Sequence, residues 1–229
     1  MLKNKKVAIF DLDGTIINSM DYWAKLDQKL IYSLTGILYD EDFQTLWESK
    51  MEEYHNHKAP MVSYCSYLAE EYNINISGEM LLKKREEMII ETYRSEVSAK
   101  KGVEEFIKKL YDSGLTIVIA TTTGRVNVDA CRENEKLGDL FEMFREVYTY
   151  EDVEKRKPNP MVHMKIMEKY GVRPKDCIIF EDSLQGVIAA NRAEIDVIGV
   201  KDEQSAINKN EIIKKCIMYI ESFDELLNW

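Results

Sequence analysis

Two carboxylates, Asp11 and Asp13, stand one residue apart in the run Val7-Ala8-Ile9-Phe10-Asp11-Leu12-Asp13-Gly14-Thr15. Anions this close repel each other, so stability alone does not select them. A divalent cation between them relieves the repulsion, and Mg2+ prefers such oxygen ligands. The four apolar residues ahead of Asp11 read as a strand buried on both faces. The acids therefore fall at the carboxyl end of a parallel strand, where open α/β sheets bind ligands. The plain alternative is an Asp-Gly turn with two solvated acids.

Polar residues recur at other strand ends. Thr121 follows the apolar stretch 115–120, Lys157 precedes a helix, and Glu181-Asp182 follows Cys177-Ile178-Ile179-Phe180. Each has an ordinary reading by itself: Thr121 a turn residue, Lys157 one of a solvated charged run, Glu181 an acid favoured at a helix start. In a doubly wound sheet these ends converge on one crevice. Together they supply several carboxylates, a hydroxyl and an ammonium, an inventory suited to holding Mg2+ and a phosphoryl group. In that arrangement Asp11 is the candidate nucleophile, with Mg2+ and Lys157 neutralising phosphoryl oxygens that would otherwise repel it. Asp13, two residues on along an extended chain, would share its side and serve as general acid and then base. Gly14 allows a tight turn, and nearby N–H groups could bind a phosphoryl oxygen. Thr121 would donate its hydroxyl to the same group, with Thr122 beside it as a further contact, at the start of a helix. Asp182 would ligate the metal, with Glu181 as its helper.

The elements that must position these groups follow from periodicity. Residues 16–95 show helical spacing and almost no strand signal, with Asp40 and Ser77 placed as helix N-caps. From Lys101 onward strand and helix patterns alternate. A helix begins after Gly102 and stops at Ser113-Gly114. Another runs through Val126, Ala130 and Leu137. Residues 146–148 form a short strand. Asn159 is an N-cap with Pro160 at the first helical position. A strand at 195–200 and a short terminal helix complete the chain. Alternation of this kind predicts a doubly wound, Rossmann-like parallel sheet. The sheet domain, 1–15 with 96–229, is split by an all-helical insert, 16–95. Such an insert can close over the crevice, exclude water and select the leaving group.

Composition narrows the partners. The 229 residues carry a net charge of -10, which disfavours nucleic acid and anionic membrane surfaces. Cys65, Cys131, Cys177 and Cys216 are scattered without a CxxC pair, so free thiols in a reducing cytoplasm are expected rather than a disulfide framework or a zinc site. No apolar run approaches membrane-spanning length, and residues 1–6 lack the apolar core of a signal peptide. His55-Asn56-His57 offers a single metal-type spacing with no third ligand, and His163 reads as structural or exposed. A small phosphorylated metabolite is the expected partner, and a monomer is compatible with the sequence.

Asp11-Leu12-Asp13-Gly14-Thr15, Thr121, Lys157-Pro158 and Glu181-Asp182-Ser183, in this order, resemble the four motifs of the haloacid dehalogenase-like superfamily. The stretch from Gly171-Val172-Arg173-Pro174 through Ser183, with Gly186 and Val197-Ile198-Gly199-Val200, is similar to the branch containing β-phosphoglucomutase and sugar-phosphate phosphatases. The resemblance implies an aspartyl-phosphate intermediate on Asp11, with Asp11, the Asp13 carbonyl and Asp182 as Mg2+ ligands and the helical insert as a cap domain. Asp13 argues against dehalogenation, which dispenses with a second acid and with metal. Departures point the same way. Trp23 stands where the mutase carries a cap histidine, a cap arginine is missing around Gly36, and residues 16–95 hold 14 acidic and 8 basic side chains, poorly suited to a bisphosphate. A phosphatase of small monoesters is therefore expected, with a phosphosugar mutase and a non-catalytic phosphate-binding protein as alternatives, and Trp23 as a candidate leaving-group contact. Ala193-Glu194 replaces the family's Ala-Gly, and Glu194 should cost about 1 kcal/mol if the chain turns left-handed there.

Overall fold

The computed structural model describes residues 2, 4–54 and 56–228; His55 of the His55-Asn56-His57 run lies outside them. The chain forms two compact units, Met1–Met20 with Arg94–Trp229, and Asp21–Tyr93.

The first unit is built on six parallel strands: β1 (Val7–Phe10), β2 (Thr116–Ala120), β3 (Glu146–Tyr148), β4 (Cys177–Glu181), β5 (Asp196–Val200) and β6 (Met218–Ile220). Their order is β3-β2-β1-β4-β5-β6, with every pairing parallel. β1 therefore lies in the middle, and the direction of winding reverses between β1 and β4. All four β1 residues are buried, as an apolar run covered on both faces must be. Between and after the strands come α5 (Val103–Asp112), α6 (Arg125–Glu133), α7 (Gly138–Phe141), α8 (Met161–Tyr170), α9 (Leu184–Arg192) and α10 (Lys209–Lys215).

Strand side chains alternate between two cores. Val7, Ile9, Val118, Ile179 and Val197 pack with Val162 and Ile166 of α8, Val187 and Ala190 of α9 and Ile212 of α10. On the opposite face Phe10 stacks on Phe180 with ring centroids 4.4 Å apart, and Phe106 of α5 and Phe223 close around them. A sheet core of this kind fixes where strand ends lie, because shifting register by one residue would exchange the two cores.

The second unit contains α1 (Met20–Thr35), α2 (Phe43–Glu53), α3 (Pro60–Glu71) and α4 (Gly78–Ser95). Leu30, Ile31, Phe43, Tyr64, Leu68 and Leu81 form its core. Beside that core lies a polar knot: Arg85 Nε and Tyr64 Oη donate to the two oxygens of buried Asp27, each at 2.7 Å. A buried carboxylate is tolerable only with such partners. Its ring pairs, Tyr39 and Phe43 on Tyr72 among them, show that most aromatics of this unit serve packing.

Several local expectations shift by a residue or two. α2 is capped by Asp42, whose carboxylate accepts from Thr45 N at 3.0 Å, rather than by Asp40. Ser77 caps α4 as expected, accepting from Met80 N. α6 ends at Glu133, short of Leu137, because Asn134 turns away to donate to Val97 O and accept from Lys136 N. α8 starts after Pro160, and the side-chain Oδ1 of Asn159 accepts from Met161 N at 3.1 Å.

Past α9 the chain does turn left-handed at Glu194, with φ 60°. Replacing Glu194 with Gly should raise stability by up to about 1 kcal/mol by relieving that conformation, a gain offset in part by the entropy of a more flexible unfolded chain. A denaturant titration of Glu194→Gly checks this; a lower midpoint would refute it.

Candidate active site

The carboxyl ends of β1, β2 and β4 carry the candidate groups. β1 and β4 flank the reversal of winding, so Asp11 and Glu181-Asp182 lie at the topological switch point. The ladder continues one step past the strands: Asp11 N donates to Phe180 O and Thr121 N to Tyr148 O, at 3.0 and 2.9 Å. Both side chains thus leave a backbone that the sheet holds in place.

Lys157 joins the strand ends. Its Nζ lies 2.6 Å from Asp11 Oδ1 and 2.7 Å from Glu181 Oε2, with the ammonium almost wholly buried. Asp11, Glu181 and Asp182 form a cluster whose ligand oxygens lie within 4.8 Å of one another. Glu181 is held from its other oxygen by Ser183 N and Oγ, at 3.1 and 2.7 Å. Asp182 receives Thr15 Oγ1 on Oδ1 at 2.9 Å and Ser205 Oγ on Oδ2 at 3.1 Å.

Two glycines allow this density. Gly14 has φ +77° and a Cβ there would collide with the Asp182 carboxylate. A Cβ on Gly186, at the start of α9, would collide with Glu181 in the same way. The Gly14 N–H itself, near where a phosphoryl oxygen was expected to bind, donates within the turn to Ile17 O at 3.0 Å. Gly14 is thus occupied with the turn and with admitting Asp182.

Asp13 reaches the site by a different route from the one expected. β1 ends at Phe10, and residues 12–17 form a tight turn in which Ile16 N donates to Leu12 O. The turn, not an extended chain, sets the direction of the Asp13 side chain. Ser19 Oγ donates to its Oδ1 at 2.6 Å, and Thr123 Oγ1 donates to its Oδ2. Thr123 N in turn donates to Thr121 Oγ1 at 3.0 Å. The loop after β2 therefore ties Thr121 to Asp13 through Thr123, while Thr122 is exposed.

Thr123, Ser19, Thr15 and Ser205 hold these acids although residue type and spacing do not single them out. Thr15 and Thr123 do adjoin candidate residues in the sequence. Ser19 and Ser205 carry no local signal. Trp23 belongs to the helical unit. There it donates Nε1 to Tyr93 Oη at 2.9 Å, and the Arg85 guanidinium carbon lies 5.7 Å from its ring centre. His57 pairs with Ser63 Oγ at 2.8 Å and is not among the metal-type clusters of the described residues.

The charges do not balance. Burial, and next the neighbouring Glu181, hold the Asp11 carboxyl well above its usual range despite Lys157. Burial, then Glu181 and Asp202, push Asp182 up to about 8. Burial works against the Lys157 ammonium, yet Asp11 and Glu181 outweigh it and raise its pKa. Three buried carboxyl groups cannot all ionise here without a further cation, and their oxygens lie close enough to share one. The donor set, all hard oxygens, fits a divalent ion such as Mg2+.

Residues 8–200 match the haloacid dehalogenase-like hydrolase family. The chain belongs to that family. YhcW of Bacillus subtilis (strain 168) is 29% identical over 198 residues, covering 86% of this chain and 84% of YhcW. (DL)-glycerol-3-phosphatase 2 of Arabidopsis thaliana is 25% identical over 223 residues, covering 94% and 87%. The crystal structure of CbbY from Rhodobacter sphaeroides in complex with phosphate shares the fold, with TM-score 0.72, 19% identity and coverage of 97% and 96%. With phosphatases among its relatives, this haloacid dehalogenase-like enzyme is a hydrolase of the phosphatase type. No helix among its described residues is long and apolar enough to cross a membrane.

His163 of α8 is fully buried near Lys157 and both its ring nitrogens lack a hydrogen-bond partner. Burial, and then the Lys157 charge, lower its pKa to about 3. A depressed histidine contributes stability above its unfolded pKa of about 6.5 and loses it as pH falls from there toward 3. Relative to His163→Leu, the parent should lose up to about 1.4 kcal/mol per pH unit below about pH 6.5. Paired denaturant titrations at pH 7.5, 6 and 5 measure the difference; identical pH slopes in the two proteins would contradict a buried neutral imidazole.

Proposed function

We propose that this enzyme is a Mg2+-dependent phosphatase of small phosphate monoesters that works through an aspartyl-phosphate on Asp11. The single observation behind this reading is the Lys157 ammonium bridging Asp11 and Glu181 beside Asp182 at the switch point. An ammonium fixed on a carboxylate nucleophile can also take up phosphoryl charge, which an ordinary structural ion pair has no need to do.

Asp11, the Asp13 carbonyl and Asp182 would hold the metal, with Glu181 supporting them. When bound, Mg2+ supplies positive charge for the phosphoryl oxygens and for the crowded carboxylates. Lys157 and the Thr121 hydroxyl orient the phosphoryl group. An Asp11 oxygen attacks phosphorus while the bond to the leaving oxygen breaks, and Asp13 gives that oxygen a proton. Asp13, now ionised, takes a proton from water; the resulting nucleophile attacks phosphorus, and Asp11 leaves as a carboxylate with inorganic phosphate as product. Ser19 and Thr123 hold Asp13 for both transfers. Gly14 contributes the tight turn and Thr122 an exposed contact for the ester. Leaving-group selection is assigned to the helical unit, with Trp23 as its candidate residue, and a sugar phosphate or similar metabolite of the cytoplasm is the substrate class.

A screen of small phosphate monoesters with Mg2+ or with EDTA should show release of inorganic phosphate only when the metal is present. Asp11→Asn should lower that release by about a thousandfold or more while circular dichroism stays unchanged. Undiminished turnover in Asp11→Asn would remove the nucleophile assignment. An isomerised sugar phosphate without net phosphate release would make the enzyme a mutase.

A further inference from the structure

Asp182 is gripped from both oxygens, and the two grips have different origins. Thr15 comes from the turn after β1, four residues beyond Asp11. Ser205 comes from the loop after β5, a part of the chain outside all four motif segments. That loop is itself anchored. Lys100 Nζ donates to Lys201 O at 2.7 Å and pairs with Asp202 at 2.8 Å, and both side chains of the pair are about nine-tenths buried. Asp202 uses its other oxygen to accept Gln204 N at 3.0 Å, bending the loop so that Ser205 follows directly. Lys100 is in turn positioned by its own N–H, which donates to Ile16 O at 2.8 Å in the turn that carries Asp13 and Thr15.

The chain of contacts is therefore continuous: the turn after β1 holds Lys100, Lys100 holds the loop 201–205, and Ser205 holds Asp182. We propose that Ser205 is a positioning residue for Asp182 as a divalent-cation ligand, and that the buried Lys100–Asp202 pair keeps Ser205 in place. The inference rests on the reading of Asp182 as a metal ligand.

The physical case is one of orientation. A carboxylate among other carboxylates is driven to rotate away from them, toward solvent. Two hydroxyl donors, one per oxygen, resist that rotation before any cation arrives. They also offset part of the charge that Asp182 must keep when it ligates. A hydrogen bond to a ligating carboxylate contributes to metal affinity through the ligand it orients. The Lys100–Asp202 pair acts at one remove: without the ammonium, Asp202 would be a buried carboxylate lacking its cation, close enough to Asp182 to repel it.

The test is Mg2+ binding to the intact apo-protein by isothermal titration calorimetry, which requires no substrate. Ser205→Ala should weaken Mg2+ binding by about tenfold, and Ser205→Thr, which retains the hydroxyl, should restore it to within about threefold of the parent. Lys100→Met should weaken binding in the same direction, and the double variant Lys100→Met/Ser205→Ala should fall short of the product of the two effects, because both act through one loop. Asp182→Asn serves as the reference. If Asp182→Asn binds Mg2+ as tightly as the parent, the metal reading itself fails. If Asp182→Asn loses binding while Ser205→Ala keeps it, or while Ser205→Thr binds no better than Ser205→Ala, the positioning role is refuted and the metal reading survives. Unchanged affinity in Lys100→Met would refute the anchoring half.

Discussion

The crowding of acidic side chains in one buried place governs this structure. Asp11, Glu181 and Asp182 are buried and mutually close, and one ammonium, Lys157, lies among them. At an effective dielectric of about 20, like charges about 4 Å apart repel by about 4 kcal/mol. Burial adds a desolvation cost for each ion. Lys157 offsets part of this at Asp11, and the Thr15 hydroxyl and Lys100 offset part of it at Asp182, yet burial and the neighbouring acids keep both hard to ionise. Folding does not remove this frustration but stores it where a cation and a phosphoryl group can relieve it.

Much of the surrounding structure makes the crowding geometrically possible. β1 and β4 pair in register, so their carboxyl ends emerge side by side. Gly14 and Gly186 lack the Cβ atoms that would occupy the space of Asp182 and Glu181. Ser183 does double service, capping α9 through Gly186 N while its N–H and hydroxyl hold Glu181. Thr15, Ser205, Ser19 and Thr123 each give a hydroxyl to an acid. Hydroxyl donors stabilise an anion without adding a formal charge, so they restrain these acids while leaving the net deficit for a cation to fill.

The helical unit meets the problem of buried charge by the opposite route. Asp27 there is matched by Arg85 and by the Tyr64 hydroxyl, so the knot is closed within itself. Breaking one partner of such a cluster leaves a buried charge exposed to no compensation. The contrast separates a carboxylate that is structurally satisfied from the strand-end carboxylates, which are not.

The sheet was legible because the four-residue apolar runs 7–10 and 177–180 can hide their backbones only in a doubly covered sheet, and because Gly102 and Ser113-Gly114 punctuate a helix by local rules. Asp11, Asp13 and Asp182 were visible for a related reason: acids directly after an apolar run have no structural motive to be there. What residue types and spacing left open was direction and distance. They placed Asp13 on an extended chain, whereas packing ends β1 at Phe10 and hands the aim of Asp13 to a turn, to Ser19 and to Thr123. They chose Lys157 from a run of basic residues only through a family pattern, whereas its burial between Asp11 and Glu181 singles it out physically. They were silent on Ser205 and on Lys100–Asp202, since a contact between residues separated by 23 or 102 positions leaves no trace in local sequence. Local chemistry specifies which groups are costly to bury; the folded chain alone specifies which of them must share one volume.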